Sequence, residues 1–482
     1  MILSTISGSD RLPVLCWYRA GSVGSNQNND RRRETVMNRF LSRTALIVFL
    51  ILCADLACAN DSSFYAARRS ALMKKIEGSA AILEGAPDTR AYIPFRQDND
   101  FYYLTGVETP NALLMLDASQ HRSILFLPLR DAETAKWEGP GLAPGPDAQS
   151  KTGMDEVMEL SKFAEELEKR KGRIQALYTP FSPLETAATS RDRALVHESA
   201  RRADPWDGRQ SREGAFENNL RAKLGGSVSL KDLSVILDEM RRVKDAREIE
   251  YLREAARIGA LGLKEAIRST RPGMYEYQLA ALAEFVFLWH GAQGYAFFPI
   301  VGSGPNSCIL HYHKNRRRML NGDIVVMDFG ADYLYYQSDI TRTFPVSGRF
   351  SEDQARVYVI VLEAQKAALE KVRPGATFDS IGDAAREVLG HYDYAAYLTH
   401  GVSHYIGMST HDVGESKPFE PGVVISVEPG VYLPEENLGV RIEDMVLVTE
   451  NGCEVLSKDV PKEIGEIEEL MSEKGITSAI KE

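Results

Sequence analysis

The sequence predicts an α/β protein of two domains, the second assembled from two related halves. Three observations carry this expectation. The 482 residues suffice for two domains of ordinary size. From Ser62 onward, short β-type apolar runs alternate with segments of helical period. Several motifs also recur at nearly one offset. Arg271-Pro272-Gly273 and Arg373-Pro374-Gly375 stand 102 residues apart, while His311 and His411, and Asp328 and Glu428, stand 100 apart. A shared offset of this kind marks duplicated structure.

A leader, residues 1–59, precedes the fold. Arg39 and Arg43 come before the apolar run Ala45 to Leu52, and Ala57-Cys58-Ala59 follows. Basic flank, short apolar core and small-residue site form a secretory signal, expected to run from Met37 and to be cleaved near Ala59. A start at Met37 would give the signal its normal length, and residues 1–36 carry no clear pattern. The apolar core is shorter than a bilayer requires. The expectation is export to the periplasm or the exterior, without stable membrane insertion after cleavage. Of five cysteines, only Cys308 and Cys453 lie beyond the leader, and both are expected as free thiols. A net charge of −11 argues against a nucleic-acid partner, and a composition 44% hydrophobic and 26% charged is that of a globular enzyme.

Residues 60–232 read as the first domain. Ala80 to Leu83, Ala112 to Leu116 and Ser123 to Leu127 read as strands, Gly139 to Gly153 as a loop, and Met154 to Lys171 as a charged surface helix. The polar-aromatic stretch Phe95 to Gly106 reads as core plus a turn. No catalytic constellation is visible in this domain.

Residues 233–482 read as the second domain. Asp245-Ala246-Arg247-Glu248 is a capping box, opening a helix whose apolar positions run from Ile249 to Ile267. A second long helix is expected over Asp353 to Val372. Each long helix ends at an Arg-Pro-Gly turn and is followed by a shorter one, Tyr277 to Trp289 and Phe378 to Leu389. In each half an apolar strand ends in a carboxylate before a Gly: Asp328-Phe329-Gly330 and Glu428-Pro429-Gly430. A second acid follows each, Asp339 and Glu443.

Four converging carboxylates would repel one another and rise in pKa unless cations were bound. Carboxylates bridge, so four of them can hold two hard divalent cations, with imidazole as a further ligand. Six of the nine histidines fall in this span: His311, His313, His391, His400, His404 and His411. Among them, His400, His404 and His411 are candidates for one metal ligand and two oxyanion donors. No phosphate-binding loop and no Gly-x-Ser-x-Gly elbow is present. The residues alone point to a dinuclear metallohydrolase.

The runs Ile309 to Tyr312, Ser338 to Pro345, His400 to His404, His411 to Gly414, Val427 to Gly430 and Val440 to Asp444 resemble the pita-bread metallopeptidases. Phe95 to Gly106 and Arg242 to Ile249 are similar to the N-terminal signature and linker of the aminopeptidase P (Xaa-Pro aminopeptidase) group. The resemblance implies a creatinase-like N-terminal domain before a pseudo-two-fold pita-bread catalytic domain. It implies two manganese ions, held by Asp328, Asp339, His404, Glu428 and Glu443, with Asp339 and Glu443 bridging and Glu428 shuttling a proton. It further implies that His311 and His411 bind substrate and stabilise the tetrahedral intermediate. His400 would line a proline pocket, and Arg441 would orient the metal carboxylates.

The implied reaction releases the N-terminal residue from a peptide with proline second, by attack of a metal-bridging hydroxide on the Xaa-Pro carbonyl. The scissile nitrogen is tertiary and offers no N–H, so the proline ring must be recognised by shape. In this group an aromatic side chain from a neighbouring subunit lines the site, which implies a homo-oligomer. Tyr102 occupies the matching position, where tryptophan is usual. The competing readings are a prolidase restricted to Xaa-Pro dipeptides and a non-catalytic peptide-binding relative. Ser403 and the front signature favour the aminopeptidase, and the intact ligand set disfavours the binder.

Overall fold

The computed structural model describes residues 62–89, 92–185 and 190–479. The expected signal segment lies outside the described residues. Ser62–Glu482 forms one compact unit.

A helix over 62–75 leads into a six-stranded mixed sheet. Its strands are β1 (Ala80–Glu84), β2 (Leu113–Asp117), β3 (Arg122–Leu127), β4 (Glu156–Glu159), β5 (Ala176–Thr179) and β6 (Ser229–Asp232), in the order β4-β3-β2-β1-β5-β6. The first three coincide with the apolar runs of the sequence. Met154 to Lys171, expected as one helix, instead divides into β4, a 3-10 turn over Leu160–Lys162 and the helix Phe163–Lys171. The sheet edge decides this: β4 pairs parallel with β3, Leu125 opposite Val157, and Val157 is buried there. The stretch after Phe95 is also more than a turn. Asp98 caps the helix Asn99–Thr105 by accepting from the Phe101 N–H, and Gly106 closes it at φ 65°.

The long helix Ala246–Ser269 opens with the expected capping box between Asp245 and Glu248. The helices Glu276–Trp289, Glu352–Lys371 and Phe378–His391 also match expectation to within two residues. The remaining strands are β7 (Gly294–Tyr295), β8 (Ile300–Ser303), β9 (Ile324–Phe329), β10 (Ala331–Tyr333), β11 (Tyr336–Gln337), β12 (Ile340–Pro345), β13 (Val424–Val427), β14 (Gly430–Leu433), β15 (Leu438–Arg441), β16 (Asp444–Thr449) and β17 (Gly452–Val455). They form the sheets β11-β10-β7, β12-β9-β8 and β13-β16-β17 and the hairpin β14-β15.

The repeat is visible in the hydrogen bonds. Gly273 N donates to Met319 O and Gly375 N to Phe419 O, each at 2.8 Å, and Met319 N and Phe419 N return bonds to Met274 O and Ala376 O. The turns that launch β9 and β13 use Gly322 and Gly422, both at φ 92°, a backbone conformation that costs glycine least. One apolar core runs through both halves, from Ile258 and Phe287 to Val427 and Val446. Among the described residues no helix is long and apolar enough to cross a membrane, and Cys308 and Cys453 are free.

Candidate metal centre

Strand pairing brings the four acids together. β9 and β12 run antiparallel with Asp328 opposite Thr341 and Phe329 opposite Ile340, so Asp339, just before β12, comes alongside Asp328. In the second half Val427 pairs with Asp444. Glu428, just past β13, and Glu443, just before β16, therefore come directly opposite each other, whereas Asp339 falls opposite Gly330, two residues beyond Asp328. The repeat thus acts through register.

His404 enters from a loop tied to β13. Its N–H donates to Ser426 Oγ at 3.0 Å, and its carbonyl accepts from Ser426 N at 2.9 Å. Nδ1 stands 3.0 Å from Tyr405 O, which can only accept, so the ring proton sits on Nδ1. Nε2 faces the acids, 3.2 Å from Glu428 Oε1 and 3.5 Å from Asp339 Oδ2, and although burial opposes its charge, the Glu428 carboxylate holds the imidazole above its usual value. A donor atom from each of Asp339, His404 and Glu443 lies within 4.8 Å of the others.

The carboxylates are half satisfied. Asp328 Oδ2 accepts from Arg441 Nη2 at 2.6 Å and Glu443 Oε2 from Thr341 Oγ1 at 2.7 Å. Asp328 Oδ1, Asp339 Oδ1 and Glu443 Oε1 are buried and have no hydrogen-bond partner. Orphaned buried acceptors are rare in native proteins and call for an ion or a donor. Burial, and then the neighbouring acids, push Asp339 and Glu443 far above the usual carboxylate range. Burial works in the same direction on Glu428, but His404, His400 and Arg441 outweigh it and hold that group at about 2. Oxygen-rich donors with one imidazole suit hard or borderline divalent cations. The residues present therefore fit the metal that their sequence implied.

Around this centre lies a cavity of about 820 Å³, whose lining includes Phe297, Phe298, Ile300 and Leu310. His311, His400, His411 and Arg441 line it together with all five candidate ligands. His400 Nδ1 donates to Gly401 O at 2.7 Å, and Nε2 accepts from the Tyr432 hydroxyl at 2.8 Å. Arg441 Nη1 donates to that same hydroxyl at 2.9 Å.

The structure does not bring Tyr102 to this cavity within its own chain. Tyr102 lies on the helix Asn99–Thr105, where its ring stacks on Tyr335 at 3.6 Å and meets Tyr65 edge-on. Conversely, several residues near the centre carried no sequence signal of their own. Tyr432 links His400 to Arg441, and Thr341 serves Glu443. Ser190 and Arg193 reach the cavity from the front domain, where no constellation was visible. Tyr432 lies four residues past Glu428, close enough to have been suspected. Nothing local marks Arg193, because its contact spans 118 residues.

Comparison with known proteins agrees with this architecture. Residues 250–450 match the model of metallopeptidase family M24, and residues 65–178 match the aminopeptidase P N-terminal domain. The Xaa-Pro aminopeptidase of Escherichia coli is 35% identical over 444 residues, covering 84% of this chain and 96% of that protein. Human Xaa-Pro aminopeptidase 3 is 31% identical over 458 residues, covering 85% and 86%. Among solved structures, a variant of Escherichia coli aminopeptidase P in complex with substrate superposes with a TM-score of 0.73 at 32% identity, covering 85% of this chain and 98% of that one. Proline aminopeptidase P II from Yersinia pestis gives 0.72 at 34%, covering 85% and 99%. The chain belongs to the pita-bread metallopeptidases of family M24, with the two-domain build of the aminopeptidases P.

Proposed function

We propose that this protein is a metal-dependent aminopeptidase that releases the N-terminal residue from peptides with proline second. The observation that carries the reading is the convergence of three orphaned carboxylate oxygens and the Nε2 of His404 on one cavity that apolar side chains also line. Asp328, Asp339, His404, Glu428 and Glu443 would hold two divalent cations, manganese in the first instance. Bound there, the metals supply a water made nucleophilic near neutral pH and a Lewis acid for the scissile carbonyl. Glu428, 3.2 Å from the His404 imidazole, would carry the proton toward the proline nitrogen. Phe297 and Phe298 offer the apolar surface that a ring without an N–H requires, and His400 lines the same cavity.

We also infer export directed by residues 37–59, domain boundaries near residues 59 and 232, and a homo-oligomer. The sequence pattern supports the first two, and the family resemblance supports the third.

The test is hydrolysis of an Xaa-Pro-Yaa tripeptide and of an Xaa-Pro dipeptide, with and without manganese, alongside Glu428→Ala. Manganese-dependent release of Xaa from the tripeptide, lost in Glu428→Ala, supports the proposal. Cleavage of the dipeptide alone would make the protein a prolidase. Full activity in Glu428→Ala would remove the assigned shuttle.

A further inference from the structure

The front domain reaches the catalytic cavity through Ser190 and Arg193. The helix Arg191–Ala203 starts at Ser190. Its first residue, Arg191, is buried and donates to Glu185 at 2.8 Å and Asp100 at 3.2 Å, and it lies 3.1 Å from Asp238. Glu185 in turn accepts from Arg241, Asn99 and Ser409. This buried cluster holds the first helical turn in place. Of the next two residues, Arg193 lines the cavity and Asp192 stands near His411. Arg193 Nη2 lies 2.9 Å from Nδ1 of His311, and Asp192 Oδ2 lies 3.5 Å from Nδ1 of His411.

These contacts have opposite polarity. A guanidinium can only donate, so His311 Nδ1 accepts and its proton sits on Nε2. Asp192 brings the opposite charge near His411, at a longer distance. The partner of one imidazole nitrogen sets what the other nitrogen offers. His311 and His411 stand 100 residues apart in the repeat, yet the front domain brings a cation to one and a carboxylate near the other.

We propose that Arg193 is a positioning residue for the reaction. It holds His311 in the Nε2–H form, as a hydrogen-bond donor toward a substrate carbonyl oxygen. The inference rests on the proposed peptidase reading for its substrate group, but the tautomer follows from the Arg193 contact alone.

The experiment combines histidine ¹⁵N spectra of the full-length, zinc-loaded protein with kcat and KM of the manganese enzyme on an Xaa-Pro-Yaa peptide. His311→Gln assigns the resonance. Arg193→Lys keeps a donor, Arg193→Met removes it and Arg193→Glu replaces it with an acceptor. The Nε2–H form of His311 is expected in wild type and Arg193→Lys, a mixture in Arg193→Met and the Nδ1–H form in Arg193→Glu. kcat is expected to fall about 10-fold in Arg193→Met and about 100-fold in Arg193→Glu, with Arg193→Lys restoring most of it. The proposal is overturned by an Nδ1–H form of His311 in wild type, by an unchanged tautomer in Arg193→Glu, or by a kcat for Arg193→Glu within twofold of wild type. A wild type inactive on the peptide would sink the peptidase reading, and the nitrogen spectra would still decide for or against Arg193.

Discussion

Arg441 Nη2 lies 2.6 Å from Asp328 Oδ2 while the same guanidinium reaches the Tyr432 hydroxyl through Nη1 at 2.9 Å. Both the arginine and the aspartate are buried. One oxygen of Asp328 is thus engaged by the protein, and the other is left for a cation.

Replacing Arg441 with Met strands the Asp328 carboxylate and frees Tyr432. Removing a partner that orients a metal ligand typically weakens metal binding by about 10–100-fold. Arg441→Met should show that loss by titration calorimetry, with a matching fall in kcat. Arg441→Lys should recover part of the affinity, because it restores charge without the two-pronged geometry. Unchanged affinity in Arg441→Met would show that Asp328 does not depend on this contact.

The metal-free protein should become less stable as pH rises. Asp339 and Glu443 have raised folded pKa values because burial and their neighbours oppose ionisation. For such groups the folded state binds more protons than the unfolded chain. Stability is complete below their ordinary values near ~4 and is lost as pH climbs toward the raised ones. The Tm of chelator-treated protein should fall between about pH 5 and 8, and saturating divalent cation should flatten that slope. A metal-free Tm that is level across this range would argue against carboxylate repulsion as the dominant strain.

Gly330 and Gly430 follow the two halves' first acids, and both are required by close approach. A Cβ on Gly330 would lie 1.5 Å from the Ser338 carbonyl oxygen, on the chain that delivers Asp339. A Cβ on Gly430 would lie 2.6 Å from the Tyr432 hydroxyl, the far end of a side chain. Gly330→Ala should therefore cost more than ~4 kcal/mol, or prevent folding. Gly430→Ala should fold and instead lower kcat by displacing Tyr432. Denaturant unfolding and kinetics on the two variants separate these outcomes. Equal stability losses would contradict the assignment.

Arg342 braces the strand that follows Glu443. It is fully buried, donates to Asp444 Oδ1 at 2.7 Å and to Val460 O at 3.0 Å, and also reaches the Glu443 carbonyl. Burial alone would raise Asp444, but Arg342 and then Lys462 overcome it and hold the group well below the usual carboxylate range. Arg342→Met leaves that charge with fewer partners and should destabilise by about 3–5 kcal/mol. Calorimetric Tm checks this, and Arg342→Met/Asp444→Asn should recover part of the loss. No recovery in the double variant would mean that the carbonyl contacts matter more than the ion pair.

The helices that frame the centre were legible because each carries its own period and cap, as in Asp245 with Glu248. The segment from Met154 was misread because its charge pattern suits a helix, while the open edge of β3 claims Val157 for a strand. The contacts of Tyr102 and Arg193 were illegible for a related reason. Both depend on packing across long stretches of chain, and neither residue differs locally from an ordinary aromatic or surface arginine.

The sequence alone determined the duplication, the four acids in two related pairs, the cluster of histidines and, through resemblance, the class of chemistry. These are properties of residue type and spacing, and spacing translates directly into strand register. Only the tertiary structure decided which carboxylate oxygens are left without partners, which group each cavity histidine meets, and that the front domain contributes to the cavity. Hydrogen-bond polarity depends on which partner arrives from elsewhere in the chain. The one-dimensional repeat of His311 and His411 therefore reads as symmetric, while Arg193 at the first and Asp192 near the second make their surroundings different.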